Sequence, residues 1–139
     1  MTDWRIFLTI AGCYLRETNQ WTIGKWSDPA SGAPIRKTWC SWTTFSRLAD
    51  NAGYWTGELP LEAELLEKCT TDGGNWGQPF GYDELAHVII PPTFTEEGRR
   101  AGQYTDWDHT QDIEGLSKRL DAAGIAHTLS VHALDIKLF

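Results

Sequence analysis

The chain has 139 residues, 41% of them hydrophobic, with 12 basic against 19 acidic side chains for a formal net charge of −7. That length and composition suit a single globular domain over 1–139 with a core of its own. The charge argues against nucleic acid as a direct ligand, since phosphate binding needs basic side chains. The longest apolar run, around Ile6 to Ala11, falls far short of the ~20 residues of a membrane span.

The opening "MTDWRIFL" carries an acid where a secretory leader carries basic residues, and no small-residue cleavage site follows. The expectation is therefore a cytoplasmic protein without a membrane anchor. Trp4, Phe7, Leu8, Ala11, Tyr14 and Leu15 fall on one face of a helix, with Thr2 or Asp3 as its cap. The β-rich "RIFLTIAG" makes a strand the competing reading, and the spacing favours the helix. "NQWTIGKW" alternates, "SDPASG" is a turn by composition, and "APIRKTWCSW" alternates again. Two such runs predict an antiparallel hairpin over Gln20–Trp42. In that strand Trp39 and Cys40 point to opposite faces, so they cannot share one pocket.

"TTFSRLADNAG" predicts a short helix capped by Thr43 or Thr44 and stopped at Gly53. "LPLEAELLEKC" predicts another, with Pro60 in the first turn and Leu61, Leu65 and Cys69 on one face. Thr70 to Tyr82 holds four glycines and a proline and must be a long loop. Its Trp76, Phe80 and Tyr82 should fold it onto the body. Leu85–Ile90 predicts a buried strand ended by Pro91 and Pro92. Thr93 to Thr105 reads as a polar stretch. A helix follows, with Asp108 as cap, Gln111 completing a capping box, and Ile113, Leu116, Leu120 and Ala123 as its stripe up to Gly124. In the tail, Leu129 and Val131 give way to Leu134, Ile136 and Leu138, a phase shift that predicts a strand with a bulge or bend near Ala133. The sum is an α+β fold: a mostly antiparallel sheet of about four strands with packed helices.

Motifs for catalysis are sparse. Cys13, Cys40 and Cys69 are odd in number and widely spaced, which predicts neither a disulfide framework nor a zinc knuckle. Cys13 and Cys69 are expected in helices as small apolar residues, and Cys40 as an inert strand residue. "TDWDHTQD" supplies Asp106, Asp108, His109 and Asp112, ligand types suited to a divalent ion. Acids at a helix start are more simply caps. His127 and His132 fall on opposite faces of a regular strand unless the bulge realigns them, and His87 reads as a satisfied side chain beside the core. There is no nucleophile elbow, and the glycines of "TDGGNWGQPFG" match no phosphate-binding spacing. The expectation is a protein without enzymatic activity, cofactor or metal; a small metal-dependent hydrolase using Asp106, Asp108 and His109 is the competing reading.

Tryptophan is the unusual residue, eight in all. A small domain cannot bury every one, and Trp26, Trp76 and Trp107 fall in or beside turns and loops. Such rings either pin loops to the body or anchor a partner, where tryptophan is enriched. The binding reading places the contact on Thr70–Tyr82 and Gln103–His109, with Trp76 and Trp107 as anchors and Asp72, Asp106 and Asp108 around them. The partner would be a protein with a basic surface.

The "TDW" helix start, the expected Trp-bearing hairpin, the "YDELAHVIIPP" strand and the closing "LDAAGIAHTLSVHALDIKLF" together resemble small, Trp-rich bacterial proteins of the toxin-immunity type. The resemblance spans most of the chain but rests on pattern, so it assigns no residue a role. It implies an inhibitor that binds a toxin, such as a nuclease or nucleotide-modifying enzyme, in stoichiometric amount. The alternative from the residues is a phage-encoded anti-defence inhibitor of the anti-CRISPR or anti-restriction type, presenting carboxylates in place of phosphates.

Overall fold

The computed structural model describes residues 3–23, 37–100 and 103–139. In chain order the elements are α1 (Trp4–Thr18), β1 (Gln20–Ile23), β2 (Cys40–Thr44), α2 (Phe45–Ala49), β3 (Trp55–Gly57), β4 (Leu85–Ile90), β5 (Thr93–Arg100), β6 (Gln103–Thr110), α3 (Ile113–Ala122), β7 (Thr128–Leu129) and β8 (Leu134–Lys137). They form an α+β fold with two antiparallel sheets rather than one, ordered β1-β6-β5 and β3-β2-β4-β8-β7.

The core lies between the helices and the five-stranded sheet. Side chains alternate across that sheet, so Cys40, Trp42, Val88, Ile90, Leu134 and Ile136 all face inward and are buried. From α1 come Trp4, Phe7, Leu8, Ala11 and Leu15, and from α3 Ile113, Leu116 and Leu120. Asp3 caps α1 by accepting from the Ile6 N–H at 3.2 Å. The two helices touch where Gly115 leaves room for the Tyr14 hydroxyl; any Cβ there would overlap it.

Several expectations are corrected. β1 and β2 do not form a hairpin: β1 pairs with β6, while β2 lies between β3 and β4. Alternation fixes which face a residue takes, not which strand it pairs with. The turn expected at Ser27 to Gly32 lies outside the described residues. The "polar stretch" after Pro92 is the β5–β6 hairpin, whose eight-residue strands give β1 an edge to join. Asp108 therefore lies in a strand, and Asp112 caps α3, accepting from the Gly115 N–H at 2.9 Å.

The helix expected after Pro60 is a single 3₁₀ turn, Glu62–Glu64. Its backbone is taken up by the loop instead: the Glu64 carbonyl accepts from Thr71, and Leu66 donates to Cys69. Cys69 accordingly bridges to Gly81 outside any helix, and Cys13, though helical, is exposed. The break expected in the tail near Ala133 is a bend rather than a bulge: the chain turns back there and β7 pairs with β8. At that turn the Ser130 hydroxyl accepts from the N–H groups of His132 and Ala133. The opposite orientation of Trp39 and Cys40 holds: Cys40 is fully buried, while half-buried Trp39 stacks on Phe94 with centroids 5.8 Å apart.

One polar hub ties the sheets to α1. The Gln111 amide donates to the carbonyls of Trp39 and Pro91 at 3.0 and 2.9 Å. Its carbonyl accepts from the Trp39 N–H and from Asn19 Nδ2, both at 3.0 Å. All four of its hydrogen-bond positions are used, as burial requires.

Candidate functional site

The residues expected to form one contact surface are spread over four environments. Trp76 is in the core, only 6% exposed, its ring stacked on Trp42 with centroids 4.5 Å apart and edge-on to Phe80. Its indole donates to the Glu58 carbonyl at 3.1 Å. The ring pins the Thr70–Tyr82 loop to the five-stranded sheet and is closed to a partner in this conformation. Asp72 is exposed beside Gly73, which takes a φ of 80°.

Trp107 and its flanking acids lie in β6, and alternation divides them. Trp107 and His109 share the inner face of the three-stranded sheet; Asp106 and Asp108 take the outer face. The pairings Gln20 with Thr110, Thr22 with Asp108, Thr95 with Asp108 and Thr93 with Thr110 set a row of polar residues around those acids. Asp108 is exposed and accepts from the Thr95 hydroxyl at 3.0 Å, and Asp106 is half-buried. Among the described side chains on this face, all are hydroxyl, amide or carboxylate.

The inner face is aromatic. Phe94 stacks parallel on His109, centroids 4.5 Å apart, with Trp39 on the far side of Phe94. Both ring nitrogens of His109 and the Trp107 indole nitrogen are buried without a hydrogen-bond partner among the described residues. Burial pushes the His109 imidazole below its ordinary range, against the opposing pull of Glu96, which itself pairs with Lys37 at 2.6 Å. Neutral imidazole is the form this site holds.

The same alternation bears on metal chemistry. Asp106 and Asp108 point away from His109, so the three cannot converge on one ion. Among the described residues, no group of three His, Cys, Asp or Glu side chains is placed to hold a metal. Burial also pushes the Cys40 thiol far above its ordinary range, which leaves it unreactive.

Of the remaining histidines, His87 is held by partners distant in the chain and His127 by near ones. His127 meets the Ser117 hydroxyl at 2.6 Å and the Ile125 carbonyl at 2.8 Å, and His132 is exposed in the β7–β8 turn. His87 contacts Tyr54 and Asp135. A cleft of about 1060 Å³ was also not foreseen; Trp4, Tyr82, Leu85 and Leu138 line it, with Arg5 and Lys68 among the charged groups around it. Nothing in sequence spacing signals either feature, because residues from both halves of the chain build each.

No described helix is long and apolar enough to cross a membrane. Comparison with family models, with curated proteins and with solved structures finds no match.

Proposed function

We propose that the chain is a non-enzymatic protein inhibitor, binding the basic surface of a partner through the outer face of β1, β6 and β5. One observation carries this reading: the described side chains of that face are all polar, with carboxylates at Asp106 and Asp108. A polar sheet face suits a partner's surface better than a small substrate, which calls for a concave site. The net charge of −7 adds long-range attraction toward a basic partner. The resemblance to toxin-immunity proteins makes a toxin the proposed partner and cytoplasm the proposed place of action. A nucleic-acid-binding component of a defence system would use the same charge complementarity and is the second reading. The proposed interface leaves out Trp76, whose ring is in the core, Asp72, on the loop that Trp76 pins to the other sheet, and Trp107, on the inner face; Asp106 and Asp108 are its acids.

The test compares wild type with Asp106→Lys/Asp108→Lys in affinity capture from the native host, followed by binding kinetics on the captured protein. The expected result is a basic partner whose association with wild type slows steeply with salt and whose association with the variant is at least about tenfold slower. Equal association of both proteins would place the interface elsewhere. A captured toxin or a captured defence complex decides between the two biological readings.

A further inference from the structure

A second site lies on the opposite sheet, on the face of β4 turned away from the core. Pairing sets Thr43, His87 and Lys137 in a row across β2, β4 and β8, with Asp135 two residues along β8 on the same face. His87 Nε2 lies 2.8 Å from an Asp135 carboxylate oxygen. Carboxylate can only accept, so this nitrogen carries the proton. In the neutral ring Nδ1 is then an acceptor, and it lies 2.7 Å from the Tyr54 hydroxyl, which donates to it. An acid orients an imidazole, and the imidazole stands ready to take a proton from a hydroxyl: the arrangement that activates nucleophiles.

The phenol is held in place by its own turn. Gly53, at a φ of 81°, offers its carbonyl to the Thr43 hydroxyl at 2.9 Å and to Arg47 Nε at 3.2 Å. Arg47 also donates to the Ala52 carbonyl at 2.7 Å. The base is sheltered and the nucleophile is open: His87 is 7% exposed, whereas Tyr54 is 38% exposed. Beside them Phe139 sets its ring edge-on to His87, 5.8 Å between centroids, and is itself 58% exposed. That ring is an apolar rest for the aryl or acyl part of a substrate.

We infer that Tyr54 is a nucleophile toward activated esters, with His87 as its general base and Asp135 as the residue that positions the base. In the step, the Tyr54 oxygen bonds to the acyl carbon as its proton passes to His87 Nδ1. The bond from that carbon to the leaving oxygen breaks, and the leaving group departs with the electron pair and takes the proton from the imidazolium. The products are an acyl ester on Tyr54 and a free alcohol or phenol. Burial and the Asp135 charge both raise the phenol's pKa, so the proton must leave during attack rather than before it.

Three other hydroxyls serve as controls. The Tyr14 hydroxyl donates to the Asp112 carboxylate at 2.6 Å and the Tyr82 hydroxyl to the Leu66 carbonyl at 2.7 Å, neither of them a useful base near neutral pH. Ser117 has an imidazole partner but is only 7% exposed and closed to an ester.

The test treats the whole chain with p-nitrophenyl acetate, follows nitrophenolate release, and maps the acetyl group by mass spectrometry. Acetylation of Tyr54 should exceed that of Tyr14 and Tyr82 by about a hundredfold, the lower end of what a general base contributes. Tyr54→Phe should abolish that fraction of the release. Asp135→Asn should slow Tyr54 acetylation about tenfold, with Asp135→Glu restoring part of it, a pattern that loss of fold alone would not give. His87→Ala should lose the reaction and regain it with added imidazole. If that variant does not fold, the Tyr54 preference and the Asp135 pair decide. Equal labelling of the three tyrosines, or Tyr54 labelling unchanged in Asp135→Asn, would overturn the assignment.

Discussion

Gln111 and His109 lie two residues apart at the end of β6, both at least 95% buried, and they solve the problem of a buried polar group in opposite ways. Gln111 fills every hydrogen-bond position, joining Trp39, Asn19 and Pro91 from three separate segments. Among the described residues His109 fills none, and its ring lies neutral against Phe94. The difference teaches where specificity resides in this fold. The junction between the sheets is fixed by a polar residue that only one arrangement satisfies; the aromatic face is held by stacking, which tolerates shape but specifies less.

The strongest way to break this comparison is to remove the hub. Gln111→Leu leaves the Trp39 N–H and the Trp39 and Pro91 carbonyls without their partner, each an unmet group beside a buried side chain. The expected loss in a denaturant titration is about 3 kcal/mol or more. A loss below about 1 kcal/mol would show that the junction is held by packing alone.

Asp112, the neighbour of the hub, sharpens the contrast at an exposed position. Its carboxyl is held below the usual carboxylate range, first by the Tyr14 hydroxyl and then by the Gly115 N–H. Asp112→Ala should cost about 1 kcal/mol as a lost helix cap. Because the folded pKa is depressed, its ionic contribution is present above the unfolded value of ~3.9 and is lost as pH falls through the folded one. Melting temperature followed from pH 6 downward should therefore drop less in Asp112→Ala than in wild type, to the extent that this carboxylate matters.

The smallest effect is expected at His109. His109→Phe keeps a ring on Phe94 and deletes two unmet nitrogens, so stability at neutral pH should change by less than about 1 kcal/mol or rise. The pH dependence separates the two proteins. With its folded pKa lowered by burial, His109 destabilises the fold as pH falls below the unfolded imidazole value of ~6.5. Replacing it should flatten the stability profile between neutrality and pH 5; a profile identical to wild type would mean that His109 does have a proton-holding partner.

Local pattern was enough wherever one element answers to itself. The α1 stripe, the apolar strand Leu85–Ile90 stopped by two prolines, and the Ile113–Leu120 stripe stopped at Gly124 all follow from spacing and backbone chemistry, which also narrow the α1 cap to Thr2 or Asp3 and the α2 cap to Thr43 or Thr44. Partnership between elements does not. The edge that β1 joins, the core place of Trp76, the division of Trp107 from Asp106 and Asp108, and the meeting of Tyr54, His87 and Asp135 depend on contacts between residues distant in the chain. A sequence fixes the faces of a strand through its period of two. Which strand lies beside it, and which side chains then meet, is settled only when competing burials and hydrogen bonds are satisfied together in three dimensions.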